Sequence, residues 1–231
     1  MSIAEHLRRA RTHRAQARSY DNDDMSAIEC LRLHALTLPF GAAREISHAF
    51  RPGLHLVTGP NGIGKTSLLR AIAGALPPMS GTIQLGDAPL PRRSDRVVLA
   101  PSAPPALAWL RAGLLIDFVL SLYPASRRDQ DYRRRVVQRL HLSDVMDVPM
   151  GSLSAGMAKK ILLAATLIAA PTVLLFDEPT NEIDAASCEA LVSLLAEYRS
   201  DHIMLVATHH LAPFRDMAAS TLTLGSENGS I

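Results

Sequence analysis

The chain has 231 residues, of which 48% are hydrophobic and 20% are charged, and its formal net charge is +2. The length suits one domain with a large core, and the near-neutral charge gives no indication of nucleic-acid binding. No apolar run approaches the roughly 18 residues of a membrane span, so we expect any membrane role to need a partner. The two cysteines, Cys30 and Cys188, are far apart in the sequence, which fits a reducing compartment and provides no disulfide or metal framework.

The first 25 residues differ in composition from the rest. Five arginines precede an acidic cluster, and too few apolar residues accompany them for a membrane-surface helix or a secretory signal. We therefore predict a flexible basic extension at 1–25 and a folded domain at 26–231.

The folded part begins with a β pattern. Residues 28–38 (IECLRLHALTL) alternate well enough for one or two edge strands, and 46–50 (ISHAF) predict another strand. Phe40 lies between them, and it is interpreted either as a ring that stacks on an adenine or as a core or loop phenylalanine.

Residues 59–66 read GPNGIGKT and fit the phosphate-loop pattern G-x-x-x-x-G-K-[ST] between a predicted strand at 54–58 and a helix at 67–75. Glycines allow backbone N–H groups to surround an anion, and the helix N-terminus adds partial positive charge. Lys65 is expected to reach the β- and γ-phosphates and Thr66 to bind Mg²⁺. The predicted ATP-binding residues here are Gly59, Pro60, Asn61, Gly62, Ile63, Gly64, Lys65, Thr66 and Ser67.

The middle of the chain changes from strands to helices. Short strands are predicted at 82–85 and 97–100, followed by a long apolar helix at 107–123 and an amphipathic helix at 127–142. The block at about 103–150 therefore resembles a helical insertion in an α/β core.

A second motif, LSAGM at 153–157, opens an apolar helix that is predicted to run to about residue 170. Ser154 is expected to cap this helix, and with Gly156 it offers a hydroxyl and free N–H groups to an anion.

The apolar run VLLF at 173–176 predicts a central parallel strand that ends in two acids. Ligands bind at this end of an open α/β sheet, so Asp177 is placed to hold Mg²⁺ and Glu178 to polarise an attacking water.

A helix at 185–198 and a buried strand at 203–207 follow, and a last short strand is predicted at 222–224. His209, directly after the buried strand, is expected to donate to the γ-phosphate or to the attacking water. The predicted catalytic residues are Glu178, His209 and Lys65.

The motifs GPNGIGKT, LSAGM, LLFDEPT, NEID and ATHH, in this order, resemble those of the ATP-binding cassette (ABC) ATPases from about residue 28 to 224. The resemblance implies an α/β fold with a P-loop NTPase core. This core has a mostly parallel sheet with flanking helices, an antiparallel β subdomain and an inserted α-helical subdomain at about 103–170. It implies two cassettes that clamp two ATP molecules, with Ser154 and Gly156 acting on the γ-phosphate bound by the other copy. Asp184 would lie at the dimer contact, and the helical block would contact a membrane subunit.

The sequence departs from the family pattern at two places. Ser102 stands where the family usually has a glutamine that meets Mg²⁺, which puts the hydrolysis rate or its coupling in question. Ala155 and Met157 replace the usual glycine and glutamine of the second motif, and the remaining serine and glycine keep its anion-binding geometry.

The predicted function is an ATP-hydrolysing subunit, with ATP and Mg²⁺ as cofactors. It would work as a homodimer on a separately encoded membrane permease at the cytoplasmic face of the inner membrane. TSLLR at 66–70 and LSAGM are similar to small export-type cassettes, including the haem-exporter ATPases of cytochrome c maturation. The alternatives are a soluble cassette of an assembly system such as iron–sulfur cluster assembly, and an ATP-dependent clamp that hydrolyses poorly. A nucleoside kinase is disfavoured because the LSAGM motif would have no role in such an enzyme.

Overall fold

A computed structural model describes residues 29–41, 45–104, 107–123, 130–198 and 200–225. The predicted extension at 1–25 lies outside the described residues. The strands are β1 (Leu31–Thr37), β2 (Ile46–Phe50), β3 (Gly53–Thr58), β4 (Ser80–Leu85), β5 (Ala88–Pro89), β6 (Val97–Ala100), β7 (Val173–Asp177), β8 (Ile203–Ala207) and β9 (Ala218–Thr223). The α-helices are α1 (Lys65–Ile72), α2 (Ala112–Ser121), α3 (Gln130–Arg139), α4 (Ala155–Ala169) and α5 (Ala185–Tyr198).

The main sheet has five strands in the order β6-β7-β8-β3-β9, and every neighbouring pair is parallel. All five residues of β7 and all five of β8 are buried, as continuous apolar strands in the middle of a parallel sheet should be. Because β7, β8 and β3 are neighbours, their carboxyl ends open at the same edge of the sheet.

Each strand of the main sheet supplies side chains to two cores. Leu174 and Phe176 of β7 pack into the core that contains the inner faces of α2 to α5. Val173 and Leu175, on the opposite face of β7, pack with α1 and the second sheet. Burial of each such side chain contributes about 1.5–3 kcal/mol, so this alternation fixes which face of the strand meets which layer of helices.

The second sheet is antiparallel and has the order β2-β1-β4-β5. Strand β1 was predicted as an edge strand, and this prediction is wrong because β1 pairs with β2 on one side and β4 on the other. Leu31 and Leu33 are buried within the core that this sheet shares with α1.

The predicted helix at 107–123 is also wrong in its first part, because α2 begins only at Ala112. Residues before it are held by the segment ahead of α4: Met150 N donates to Leu110 O at 2.9 Å, and Arg111 forms an isolated bridge with Pro149. Long-range pairing therefore overrides the apolar helical pattern here. The last strand, β9, begins four residues before the predicted one and ends one residue before its predicted end.

Two glycines with similar left-handed backbones test how closely the layers approach. Gly74 (φ +72) follows α1, and a Cβ there would lie 1.8 Å from Arg92 O. A Cβ at Gly86 (φ +65) would meet no atom within 4 Å in the part of the chain that the structure describes. We expect Gly86→Ala to lower the free energy of unfolding by about 1–2 kcal/mol, the cost of the left-handed backbone. Gly74→Ala should lower the free energy of unfolding by a further 1–3 kcal/mol or so, about the cost of overpacking, because the backbone at Arg92 must move. Urea unfolding of both variants measures the difference, and equal losses would show that the approach at Gly74 is not tight.

Candidate functional site

Three segments with polar residues meet where β3, β7 and β8 end. The phosphate loop follows β3, Asp177 and Glu178 stand at the end of β7, and His209 follows β8. The order β7-β8-β3 makes these segments neighbours although they are far apart in the sequence. Sequence reasoning predicted this edge of the sheet as the site.

The phosphate loop turns sharply through glycines at Gly59 (φ +138), Gly62 (φ +77) and Gly64 (φ +116). A Cβ at Gly62 would meet no atom of the described residues within 4 Å, so these residues leave the space beside this backbone open to a ligand. Lys65 is the first residue of α1, and its ammonium donates to Gly59 O at 2.8 Å and to Pro60 O at 3.2 Å. The loop is thus closed by its own lysine, next to a helix N-terminus that favours anions.

Thr66 joins the phosphate loop to the neighbouring strand end. Its hydroxyl donates to the Asp177 carboxylate, with 3.1 Å to Oδ1 and 3.1 Å to Oδ2. Asp177 is only 3% exposed, so its carboxylate is held in place by its surroundings. A hydroxyl and a carboxylate side by side are the oxygen ligands that Mg²⁺ prefers, and the predicted pair therefore fits this ion.

Glu178 and His209 form the second polar pair at this edge. Glu178 Oε1 lies 3.0 Å from His209 Nδ1. Within the described part of the chain, the other carboxylate oxygen, Oε2, is buried and has no hydrogen-bond partner. The backbone of Glu178 is left-handed (φ +46), and its N–H donates to Ala207 O at 2.8 Å. A free acceptor at such a site is suited to bind and polarise a water.

The LSAGM segment is a separate part of the site. Ser154 caps α4 as predicted, and its hydroxyl accepts from Met157 N at 3.2 Å. A Cβ at Gly156 would lie 2.2 Å from Glu182 O, so a glycine is needed for packing on the segment after Glu178. Among the described residues, no hydrogen bond joins residues 154–156 to the phosphate loop.

Asp184 caps α5, and its carboxylate has partners within its own chain. Its carboxylate accepts from the N–H and the hydroxyl of Ser187, each at 2.8 Å, and lies 3.5 Å from Lys160 Nζ. The Ser187 hydrogen bonds lower the pKa of Asp184 from 3.8 to about 2, with a smaller contribution from Lys160. The predicted contact residue therefore also has a local role at the start of α5.

Phe40 is 66% exposed, which excludes the interpretation of this residue as a core phenylalanine. The next residue, Gly41 (φ +101), lies against the phosphate loop, because a Cβ there would be 2.5 Å from Ile63 O. The backbone that carries the exposed ring is therefore held close to the loop.

Sequence reasoning missed Lys159, which is fully buried in α4. Its ammonium donates to Pro101 O at 2.8 Å, Ser102 O at 3.3 Å and Asp177 O at 2.8 Å. Burial lowers the pKa of Lys159 to about 8, while nearby carboxylates, Asp177 first, raise it. The only signal in the sequence was a lysine pair in an otherwise apolar helix, and the partners are backbone carbonyls that a sequence does not mark.

A parallel sheet with a glycine-rich loop between a strand and a helix, beside an aspartate at the end of a neighbouring strand, defines the P-loop nucleoside triphosphatase fold. The family model described as ABC transporter matches residues 44–181. The chain therefore belongs to the ABC transporter family as an ATP-binding protein, and ATP-binding proteins of this family are ATPases. The predicted family, fold class and enzyme class are confirmed.

Individual relatives agree with this assignment. The cytochrome c biogenesis ATP-binding export protein CcmA of Wolbachia pipientis is 31% identical over 160 residues, which are 67% of this chain and 75% of that protein. The zinc import ATP-binding protein ZnuC of Yersinia pestis is 32% identical over 191 residues, which are 78% of this chain and 69% of that protein. A solved ATP-binding subunit of an ABC transporter has the same fold, with a TM-score of 0.76 at 21% identity over 84% of this chain and 85% of that one.

In the described ranges, no helix has the length and apolar character that a membrane crossing requires.

The cap at Asp184 leads to a stability prediction with a pH signature. Asp184→Ala should lower the free energy of unfolding by about 0.5–2 kcal/mol at neutral pH, while Asp184→Asn should stay close to the unchanged protein because asparagine caps as well. The folded pKa is below the ordinary value of 3.8, so the carboxylate stabilises above that pH and its contribution is lost as the pH falls toward 2. Chemical unfolding at several pH values tests this, and a pH-independent difference would contradict it.

Proposed function

We propose that this chain is the ATP-hydrolysing subunit of a transporter, dimerises around ATP and drives a separate membrane subunit. The observation that carries the proposal is the meeting of Lys65, the Thr66–Asp177 pair and the Glu178–His209 pair at one edge of the sheet. These are the groups that phosphoryl transfer to water needs: a phosphate cradle, oxygen ligands for a metal ion and an acceptor for a proton.

The phosphate loop would bind the triphosphate. Its open glycine backbone and the N-terminus of α1 supply N–H groups, and Lys65 would exchange its contacts with Gly59 O and Pro60 O for phosphate oxygens. Mg²⁺ at Thr66 and Asp177 would offset the negative charge of the phosphates. The exposed side chain of Phe40, on backbone that lies against the loop, supports stacking on the adenine, and we propose Phe40 as a further binding residue.

Glu178 would act as the general base. Its buried Oε2 has no hydrogen-bond partner among the residues that the structure describes, which supports this role, because a water hydrogen-bonded there would be polarised for attack. His209 contacts the other oxygen and would orient the carboxylate or donate to the γ-phosphate.

The dimer would bring a second LSAGM segment to each nucleotide. Ser154 is exposed and, within the described part of the chain, Ser154 and Gly156 make no hydrogen bond to their own phosphate loop, which supports action on the partner's ATP. The exposed N-terminus of α4 offers the anion-binding groups.

An apolar surface on the helical block supports a membrane partner. Trp109 is 75% exposed, and Leu114, Phe118 and Leu122 are 53%, 53% and 54% exposed at four-residue spacing along and just beyond α2. Such a contiguous apolar stripe on a surface indicates a binding site for another chain.

We propose export as the direction of transport because TSLLR and LSAGM are similar to small export-type cassettes. The names of the relatives include an export protein and a zinc import protein.

The role of Glu178 predicts a trapped dimer. Glu178→Gln keeps the size and hydrogen-bonding shape of the side chain but removes the base, so we expect hydrolysis to fall on the order of 10²–10⁴-fold. ATP binding should survive, and the variant should elute as a dimer in ATP by size-exclusion chromatography. Lys65→Ala is the matched control, and it should bind no ATP and stay monomeric. A Glu178→Gln protein that remains monomeric in saturating ATP would remove the dimer from the proposal.

The membrane partner is tested by capture from detergent-solubilised membranes of the source cells. The tagged protein should recover a polytopic membrane protein, and the eluate should hydrolyse ATP. Phe118→Ser should lose this partner while keeping the hydrolysis rate of the isolated protein, because the Phe118 ring is 53% exposed and belongs to neither hydrophobic core. Gln138→Ser, an exposed change on α3, is the control and should keep both. Recovery of only non-membrane partners would favour the assembly alternative instead.

A further inference from the structure

Lys159 connects three parts of the site through one buried ammonium group. The lysine belongs to α4, and its three hydrogen bonds end on the carbonyls of Pro101, Ser102 and Asp177. The first two carbonyls follow β6, and the third stands at the end of β7. One side chain therefore ties the LSAGM helix to the ends of two neighbouring strands.

The chemistry of this contact requires a lysine. An ammonium has three N–H groups that diverge from one point, and three carbonyl oxygens lie within 3.3 Å of Lys159 Nζ. A guanidinium would spread its donors in one plane instead. The chain has only three lysines and otherwise uses arginine as its cation, and one of the three is placed at this fully buried position.

The location of the Asp177 carbonyl gives the contact its functional meaning. This carbonyl belongs to the peptide unit that joins Asp177 to Glu178, at the point where the backbone becomes left-handed (φ +46). The N–H of this peptide already donates to Ala207 O, and the Lys159 bond to the carbonyl holds the opposite side of the same peptide plane. Together the two bonds set the direction in which the Glu178 side chain leaves the strand. The other two bonds hold the backbone of the loop at Ser102.

We propose that Lys159 is a positioning residue for hydrolysis, which fixes Glu178 and the loop at Ser102 relative to the start of α4. The ammonium holds this loop through its backbone carbonyls. This inference rests on the proposed function, because it assigns Lys159 an effect on the step that Glu178 performs.

The test distinguishes an effect on the placement of Glu178 from an effect on ATP binding and from an effect on folding. Lys159→Met keeps the length of the side chain and removes its donors. The kcat for ATP hydrolysis should fall on the order of 10- to 100-fold, as misplacement of a reacting group by about 1 Å costs. The Kd for a fluorescent ATP analogue should remain close to that of the unchanged protein, because the phosphate loop is intact. Lys159→Gln retains two N–H donors, and its kcat should lie between those of the other two proteins.

Leu167→Ala is the matched control for loss of stability. Leu167 is fully buried in the same helix, about 12 Å further along its axis, and its side chain belongs to the helical core. Its removal should lower the unfolding midpoint without lowering kcat.

Three results would overturn the proposal. The first is an unchanged kcat in Lys159→Met, and the second is a parallel loss of kcat in Leu167→Ala. The third is failure of both Lys159 variants to fold while Leu167→Ala folds, which would make the lysine a requirement of the fold alone. An unchanged protein that binds no ATP would instead refute the proposed function.

Discussion

Parallel pairing of β7, β8 and β3 is the constraint from which the site follows. The carboxyl ends of parallel strands lie at the same edge of a sheet, so the segments that follow these three strands are brought together by the strand order alone. The two cores then lock the order of the strands, because alternate side chains of each strand belong to different layers of helices. Polar residues that occur at separate places in the chain thus become neighbours through backbone geometry.

The strands and helices that were predicted well are those whose buried residues form a regular apolar pattern in the sequence. The residues of β2, β6, β8 and α5 match the predicted ranges because their apolar runs are bounded by polar or turn residues. The position of the phosphate-loop motif between a strand and a helix, and of the acids at the end of a strand, was also predictable, because the motif and the apolar run VLLF are explicit in the sequence. The structure brings Thr66 and Asp177, and Glu178 and His209, within hydrogen-bond distance.

The features that could not be predicted depend on contacts between distant backbone groups. The apolar run before α2 contains no residue that stops a helix, and only its pairing with the segment at Met150 ends the pattern. The internal position of β1 likewise follows from β4, which a local alternation does not reveal. Lys159 is the sharpest case, because its partners are carbonyl groups that every residue carries.

The left-handed backbone at Glu178 has a consequence for how far this protein could be stabilised. A residue with a side chain, followed by Pro179, occupies a conformation that costs on the order of 1–3 kcal/mol and that glycine adopts without strain. The packing of the surrounding sheet must offset this strain as long as position 178 carries a glutamate. A sequence optimised only for thermal resistance would therefore replace Glu178, so with the proposed role of this residue as general base, activity and heat tolerance would compete at this one position.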